Sequence, residues 1–344
     1  MSKRHFVDLH THSTASDGSL PPAEVVRLAD RAQLAAVALP DHDTVAGIED
    51  ARRAAQDLPE IVFVPGIEIS AAFTKGTLHI LGLGIDPASQ RLGQTMATLQ
   101  NARATRNPRI LLKLADMGMP ISMADVAAAA VELEERGLSR ISDGESSSDH
   151  GPNVSAGPIS ADNVPANSSL SPLLDAGERV GREMSSRILG RVHIAMALVH
   201  KGFVKSTQEA FDRCIGSGKP AYVDKERLSP RDAIQGIHDA GGLAVLAHPP
   251  QLRYENDAQF LQILCDLIYV GLDGIEAFHS DNNVQQTRMY LELAKQFGLG
   301  ITGGSDFHGA GKPSVLLVKP TVPVEAMGER FTEKLLGKNL GRAT

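Results

Sequence analysis

Cysteine is scarce: Cys214 and Cys265 are the only two in 344 residues, too few for a disulfide framework, and a lone bridge would fit a reducing compartment as well as any other. Long apolar runs are lacking as well. None approaches the roughly 18 residues of a membrane span, and the start, MSKRHFVDLH, has charge and histidine where a signal peptide needs an apolar stretch. The expectation is a soluble cytoplasmic protein with no membrane partner. Positive charge is not in excess: 34 Lys and Arg stand against 41 Asp and Glu, a net charge of −7. The chain as a whole repels a polyanion, so duplex nucleic acid is not an expected partner, although a local basic pocket remains open. Tryptophan is absent altogether, whereas histidine occurs twelve times. The question is where those histidines sit.

Seven short apolar runs end in polar, mostly metal-capable residues: HFVDLHTH at 5–12, AAVALPDHD at 35–43, IVFVPGIEIS at 61–70, LHILGLGI at 78–85, GLAVLAHP at 242–249, LDGIEAFHS at 272–280 and LGITGGSDFH at 299–308. Buried parallel strands deliver side chains to the mouth of a barrel in this way. Between the runs lie segments with apolar residues at helical spacing, such as 21–34, 229–242 and 282–298. Ser19 and Ser229 stand where helix caps belong, and Gly241 and Gly298 where helices end. Alternating strands and helices predict a parallel, barrel-like α/β architecture. The rhythm stops near Gly84 and resumes near Tyr222. The expected organisation is therefore a discontinuous barrel (1–85 and 220–315), a mostly helical insertion (86–219) and a tail (316–344) packing on the barrel. Within the insertion, helices are expected at about 89–117, 122–136 and 176–217, with a flexible loop rich in Ser, Asn, Gly and Pro at about 139–176. His150 lies in that loop and receives no role.

His10 and His12 close the first run. Two residues apart on a strand, they point to one face and can converge on one metal, although an isolated H-x-H is equally often two surface histidines. Here it is accompanied. Asp17 follows; Asp41, His42 and Asp43 close the second run, Glu68 lies in the third, His79 opens the fourth, His248 ends another, and Asp306 and His308 end the last. So many ligand-type residues at strand ends predict a metal site on one rim of a barrel.

The motifs HFVDLHTHSTASDGS, LPDHDT, VPGIEIS, HILGLGID, AVLAHP and GSDFHG resemble the polymerase and histidinol phosphatase (PHP) family, and within it the stand-alone metal-dependent phosphoesterases that act on AMP or on 3′,5′-nucleoside bisphosphates. The resemblance covers roughly 5–110 and 185–310. It implies a distorted seven-stranded (βα) barrel holding three divalent metals. Carried across residue by residue, His10, His12, Glu68 and Asp306 would hold the first, Asp17, His42 and His308 the second, and Glu68 as a bridge, with His79 and His248, the third. Asp17 stands where some relatives have His, which favours harder cations, Mn²⁺ or Fe²⁺ over Zn²⁺. The expected chemistry is attack on phosphorus by a metal-bridging hydroxide held by Glu68 and Asp306.

Arg103, Arg106 and Arg109 are three apart, either a fork array for phosphate oxygens or a solvated basic stripe. The resemblance implies substrate contact for this segment, Asn107 included, while Pro108 disturbs the helix. Arg191 and His193 read plainly as the polar start of a helix. The resemblance makes them ligands of a substrate phosphate, with His193 also the candidate acid. His279 is read as lining the substrate pocket or as a rim residue. Asp8 and Asp43 are expected to orient ligating imidazoles, and Glu276 is read as structural. His5, His200 and His238 have no constellation around them, and the two cysteines read as small buried apolar residues.

The leading expectation is a phosphomonoesterase for a small nucleotide. A 5′-to-3′ exonuclease on short oligonucleotides is the nearest alternative, histidinol phosphatase and a metal-dependent amidohydrolase are weaker ones, and a non-catalytic metal-binding module represents another class. Missing ligands would mark the last, and none is missing.

Overall fold

The computed structural model describes residues 4–142 and 188–337. Seven strands wind in chain order into a nearly closed barrel: β1 (Phe6–Asp8), β2 (Ala36–Leu39), β3 (Val62–Ala71), β4 (Leu78–Leu83), β5 (Leu243–Leu246), β6 (Gly274–His279) and β7 (Gly300–Gly304). The two ends meet where the Leu9 N–H donates to the Gly303 carbonyl at 3.0 Å and the Asp306 N–H to the His10 carbonyl at 2.8 Å. An eighth, two-residue strand, β8 (Val322–Pro323), pairs antiparallel with the free edge of β1.

The barrel is not wholly parallel. β1, β2 and β3 run parallel, as do β5, β6 and β7, but β4 is antiparallel to both β3 and β5. The reason is the short link 72–77. A parallel return needs a crossover of about a dozen residues or more, whereas a short link can make only a hairpin.

The described helices are α1 (Pro22–Arg31), α2 (Ile48–Gln56), α3 (Gln90–Asp116), α4 (Met123–Ser142), α5 (Arg191–His200), α6 (Thr207–Ala210), α7 (Pro230–Asp239), α8 (Asp257–Tyr269), α9 (Val284–Phe297) and α10 (Glu329–Leu336), of which α2, α8 and α10 are not among those singled out from the sequence. Ser229 caps α7 by accepting the Asp232 N–H, and Gly298 ends α9 at φ 67°. Ser19 caps nothing, because α1 begins only after Pro21. Its hydroxyl instead accepts the Ala310 N–H. α3 carries Pro108 inside its 27 residues, and α4 continues through 142, past the expected loop start at 139. The rest of that loop, His150, the expected helical stretch 176–187 and the tail from 338 lie outside the described residues. Residues from α3, α4, α5, α6 and the segment up to Val223 share an apolar core of their own, separate from the barrel clusters. Among the described residues no helix is long and apolar enough to cross a membrane.

α10 buries Phe331, Leu335 and Leu336 in one cluster with Val7, Leu9, Val64, Leu81 and Val245. The Phe331 ring fits a notch that glycine leaves in two neighbouring strands: a Cβ on Gly300 would lie 1.9 Å from the ring, and one on Gly274 2.7 Å. Phe331→Ala is expected to cost about 3–5 kcal/mol and Gly300→Ala about 1–3 kcal/mol by overpacking, both read as lower urea midpoints at unchanged m-value. No loss for either would mean that α10 is not part of the barrel core.

Candidate metal centre

The carboxyl-side strand ends turn sharply where they reach the site. Asp43, His248 and Asp306 all have positive φ (55°, 25° and 58°) without being glycine, a strained conformation that persists only where the surroundings enforce it. Each belongs to a motif that sequence reading singled out.

All nine expected ligand residues come together. Glu68, fully buried, faces in two directions. Its Oε2 lies 2.8 Å from His42 Nδ1, 3.3 Å from His12 Nε2 and 3.5 Å from His10 Nε2. Its Oε1 lies 2.6 Å from His79 Nδ1 and 2.9 Å from His248 Nε2. Asp306 turns Oδ1 towards the Nε2 atoms of His12 and His10, at 3.2 and 3.6 Å. Asp17 lies 3.3 Å from His308 Nε2 and 3.8 Å from His42 Nε2. Its loop is held by Asp41, which accepts the Ser13 N–H at 2.8 Å and the hydroxyls of Ser13 and Ser16 at 2.6 and 2.5 Å.

The donor chemistry fits divalent cations. His10 Nε2, both nitrogens of His12, His42 Nδ1 and Glu68 Oε2 are buried and make no hydrogen bond, a state that native interiors avoid. His42 Nδ1 and Glu68 Oε2 are 2.8 Å apart yet not aligned as donor and acceptor. Atoms sharing one cation at about 2.0–2.2 Å stand about 3 Å from each other, the spacing seen here. The ligand atoms of His10, His12 and Asp306 lie within 4.8 Å of one another, as do those of His12, Asp17, His42 and His308, and those of His42, Glu68 and His79.

The field of the site attracts positive charge. Burial disfavours a charged His42, but Glu68 and then Asp17 outweigh it and raise the imidazole to about 9. His12, buried beside His308, is pushed down to about 3. Two ligand tautomers are fixed by hydrogen bonds: His308 Nδ1–H donates to the Asp306 carbonyl at 2.7 Å, and His10 Nδ1–H to Glu276 at 3.0 Å, so each Nε2 keeps its lone pair for the centre.

Three supporting roles differ from expectation. Asp8 does not touch an imidazole ring; it accepts the backbone N–H groups of Ser305 and Val318 and ties β1 to the segments that follow β7. Asp43 accepts Lys225 Nζ at 2.7 Å and Arg103 Nε and Nη2 at 2.9 and 2.6 Å. Burial would raise this carboxyl, yet Arg103 and Lys225 hold it well below the usual range. The imidazole-orienting group is Glu276, which also accepts the His248 N–H at 2.7 Å. His279 ends β6 beside the centre, its ring 5.9 Å from that of His10 and 5.5 Å from that of His248. Its side chain is fully buried, with Nδ1 accepting the Asp281 N–H and Nε2 3.9 Å from both Glu276 and Asp306.

Beside the centre lies a cationic cluster. Arg106 is buried on α3; burial and then the like charges of Arg103, Arg191 and Arg227 push it down to about 9. It donates to Asn107 Oδ1, and Asn107 donates to the Leu189 carbonyl. Arg191 donates to the Ile215 carbonyl and lies over the rings of Phe211 and Tyr222. His193 accepts the Gly190 N–H at Nδ1 and lines a crevice with Thr14, Ser16, Gly18, Ala130 and Leu189. Arg109 points to solvent. Lys225 and Arg227, just before α7, complete the cluster and have no motif to reveal them. Burial pulls Lys225 down to about 7 against the attraction of Asp43.

The PHP domain model matches residues 8–295. The chain is 32% identical over 309 residues to the 5′-3′ exoribonuclease of Haemophilus influenzae, covering 90% of this chain and 91% of that one. It is 30% identical over 307 residues to the 3′,5′-nucleoside bisphosphate phosphatase of Chromobacterium violaceum, covering 89% and 88%. A solved structure from Bifidobacterium adolescentis, of a protein assigned as a metal-dependent phosphoesterase, superposes with a TM-score of 0.71 at 27% identity, covering 95% and 96%.

If Glu276 orients His10, Glu276→Ala should weaken divalent-metal affinity about 10–100-fold while the thermal melt of the folded protein stays cooperative, and Glu276→Gln should recover most of the loss. Metal titration followed by elemental analysis checks this, and unchanged affinity in the alanine variant would make Glu276 purely a packing residue.

Proposed function

The chain belongs to the PHP domain family of metal-dependent phosphoesterases, and from that premise we propose that it hydrolyses a phosphomonoester of a small nucleotide, a 3′,5′-nucleoside bisphosphate or AMP. The observation that carries this reading is the charge imbalance beside the centre. Among the described residues, the five cations Arg103, Arg106, Arg191, Lys225 and Arg227 crowd one another, and the partners that favour their charge are Asp43, Asp224 and the Tyr222 hydroxyl. Partly buried positive charge without a counter-ion is costly, and a substrate phosphate offsets it through charge-assisted hydrogen bonds.

His10, His12, Glu68 and Asp306 would hold one divalent cation, Asp17, His42 and His308 a second, and Glu68 with His79 and His248 a third. An all-nitrogen-and-oxygen donor set suits Mn²⁺, and Fe²⁺ or Zn²⁺ as alternatives. When bound, such cations neutralise phosphoryl oxygens and lower the pKa of a water towards neutrality. The chain's own residues do the rest. Glu276 and the Asp306 carbonyl fix which imidazole nitrogens face inward, and Arg103 and Arg106 face the substrate from α3. His193 accepts the Gly190 N–H at Nδ1, a bond that an imidazolium would turn into N–H against N–H, so we assign it to the phosphate-binding surface rather than an acid's role.

A second reading is a 5′-to-3′ exonuclease on short RNA or DNA, favoured by the 32% identity to the Haemophilus influenzae enzyme. The cationic cluster would then hold the next phosphate of a chain, and the net charge of −7 would keep the substrate short.

Phosphate release by the Mn²⁺-reconstituted protein is expected to be fastest from adenosine 3′,5′-bisphosphate, with AMP and a 5′-phosphorylated oligonucleotide run beside it. Nucleotides shed stepwise from the oligomer at a higher rate would replace the phosphatase reading with the exonuclease one. Arg106→Met should raise KM for the bisphosphate about tenfold to a hundredfold and leave KM for a small aryl phosphate unchanged. An equal effect on both would remove Arg106 from nucleotide recognition.

A further inference from the structure

Lys312 lies outside every motif discussed so far, yet the chain is folded back to bring it to the centre. After His308 a single 3-10 turn (Gly309–Gly311) reverses direction, with Gly309 at φ 61°. The turn is pinned by Ser19, whose N–H donates to the His308 carbonyl at 3.1 Å and whose hydroxyl accepts the Ala310 N–H at 2.8 Å. A Cβ on residue 309 would meet that hydroxyl at 2.1 Å. Six residues beyond Asp306, Lys312 Nζ donates to Asp306 Oδ2 at 2.7 Å.

Asp306 therefore divides its oxygens, with Oδ1 towards His10 and His12 and Oδ2 to the ammonium. Among the described residues Lys312 is the one lysine or arginine ion-paired with any of the nine candidate ligands; Arg103 and Lys225 pair with Asp43, which is not among them. The Asp306 carboxylate is 6% exposed, whereas the Lys312 side chain is 43% exposed. The exposed part of Lys312 therefore leads inward to an ammonium that lies against the buried Asp306 carboxylate.

Charge neutralisation alone does not account for this placement. A cation held by Asp306 with His10 and His12 would already neutralise the carboxylate, and a second positive charge on it would compete and weaken the metal's hold. An ammonium has three donors and Asp306 takes one. We propose that Lys312 is a substrate-contacting residue, its ammonium anchored on Asp306 and donating to a non-bridging oxygen of the phosphate group that this centre binds. The proposal rests on the phosphoesterase reading and adds a residue to it.

The test is calorimetric binding of inorganic phosphate to Mn²⁺-loaded protein, with bound metal counted by elemental analysis, for the wild type, Lys312→Met and Lys312→Arg. Loss of a charge-assisted donor should weaken phosphate binding by Lys312→Met about tenfold to a hundredfold. Metal content should be unchanged or higher, and Lys312→Arg should return affinity to within a few-fold of wild type. Equal phosphate affinity in Lys312→Met would overturn the assignment. So would lost metal with unchanged phosphate affinity per loaded molecule, which would make Lys312 a positioning group for Asp306. A loaded wild-type protein that binds no phosphate would instead sink the phosphoesterase reading itself.

Discussion

Everything at this site depends on the Glu68 carboxylate, buried without solvent contact and facing imidazoles on two sides. Three rings approach one oxygen and two approach the other. Hydrogen bonds alone do not satisfy such a cluster, because an acceptor carboxylate and several imidazole lone pairs crowd the same volume and several of those atoms have no partner. Positive charge between them resolves the conflict, and the split of Glu68 into two faces lets one residue serve two positions. The surrounding structure reads as a means of holding that arrangement against its cost: strained turns at Asp43, His248 and Asp306, a carboxylate behind His10, and two serines on Asp41 beneath the Asp17 loop.

The direction of β4 is part of the same solution. In a fully parallel barrel, a residue that opens a strand lies at the far end from one that closes its neighbour. The hairpin between β3 and β4 reverses this, pairing Ser70 with His79 and Glu68 with Leu81, so that the start of β4 and the end of β3 share one rim. The departure from the parallel pattern is what brings His79 to Glu68.

What the sequence made legible follows from how local each signal is. The H-x-H pair, the D-H-D turn and the D-F-H ending each place several ligand-type residues within a few positions at the end of an apolar run, and period-two geometry converts that spacing into a common face. All nine meet in the structure. Glu276, Lys225 and Lys312 escaped because each is a single charged residue in a strand or loop, meaningful only through partners 266, 182 and 6 positions away. Glu276 did offer one clue, an acid between Ile275 and Ala277 in a strand buried along nearly all its length. Arg109 misled for a geometric reason. Three residues fall about 60° short of a helical turn, so two such steps carry Arg109 about 120° away from Arg103, off the face of α3 that buries Arg106, Asn107 and Ile110. The antiparallel strand was readable from the length of its link, had that length been weighed against what a crossover requires.

The electrostatics of the molecule then set a limit on what can bind. At physiological salt the net charge of −7 is screened beyond about 8 Å, so an anion at the site feels mainly the nearest groups, the arginine and lysine cluster among them. Asp43 joins the two parts of the site. Its backbone N–H donates to the Glu68 carbonyl, its neighbour His42 faces Glu68, and its carboxylate holds Arg103 and Lys225. The cationic cluster and the candidate metal ligands are thereby fixed to each other through one buried residue in a strained turn. A ligand that spans both must match that fixed spacing with its own charges, a condition that a short, rigid one meets at lower entropic cost than a flexible one.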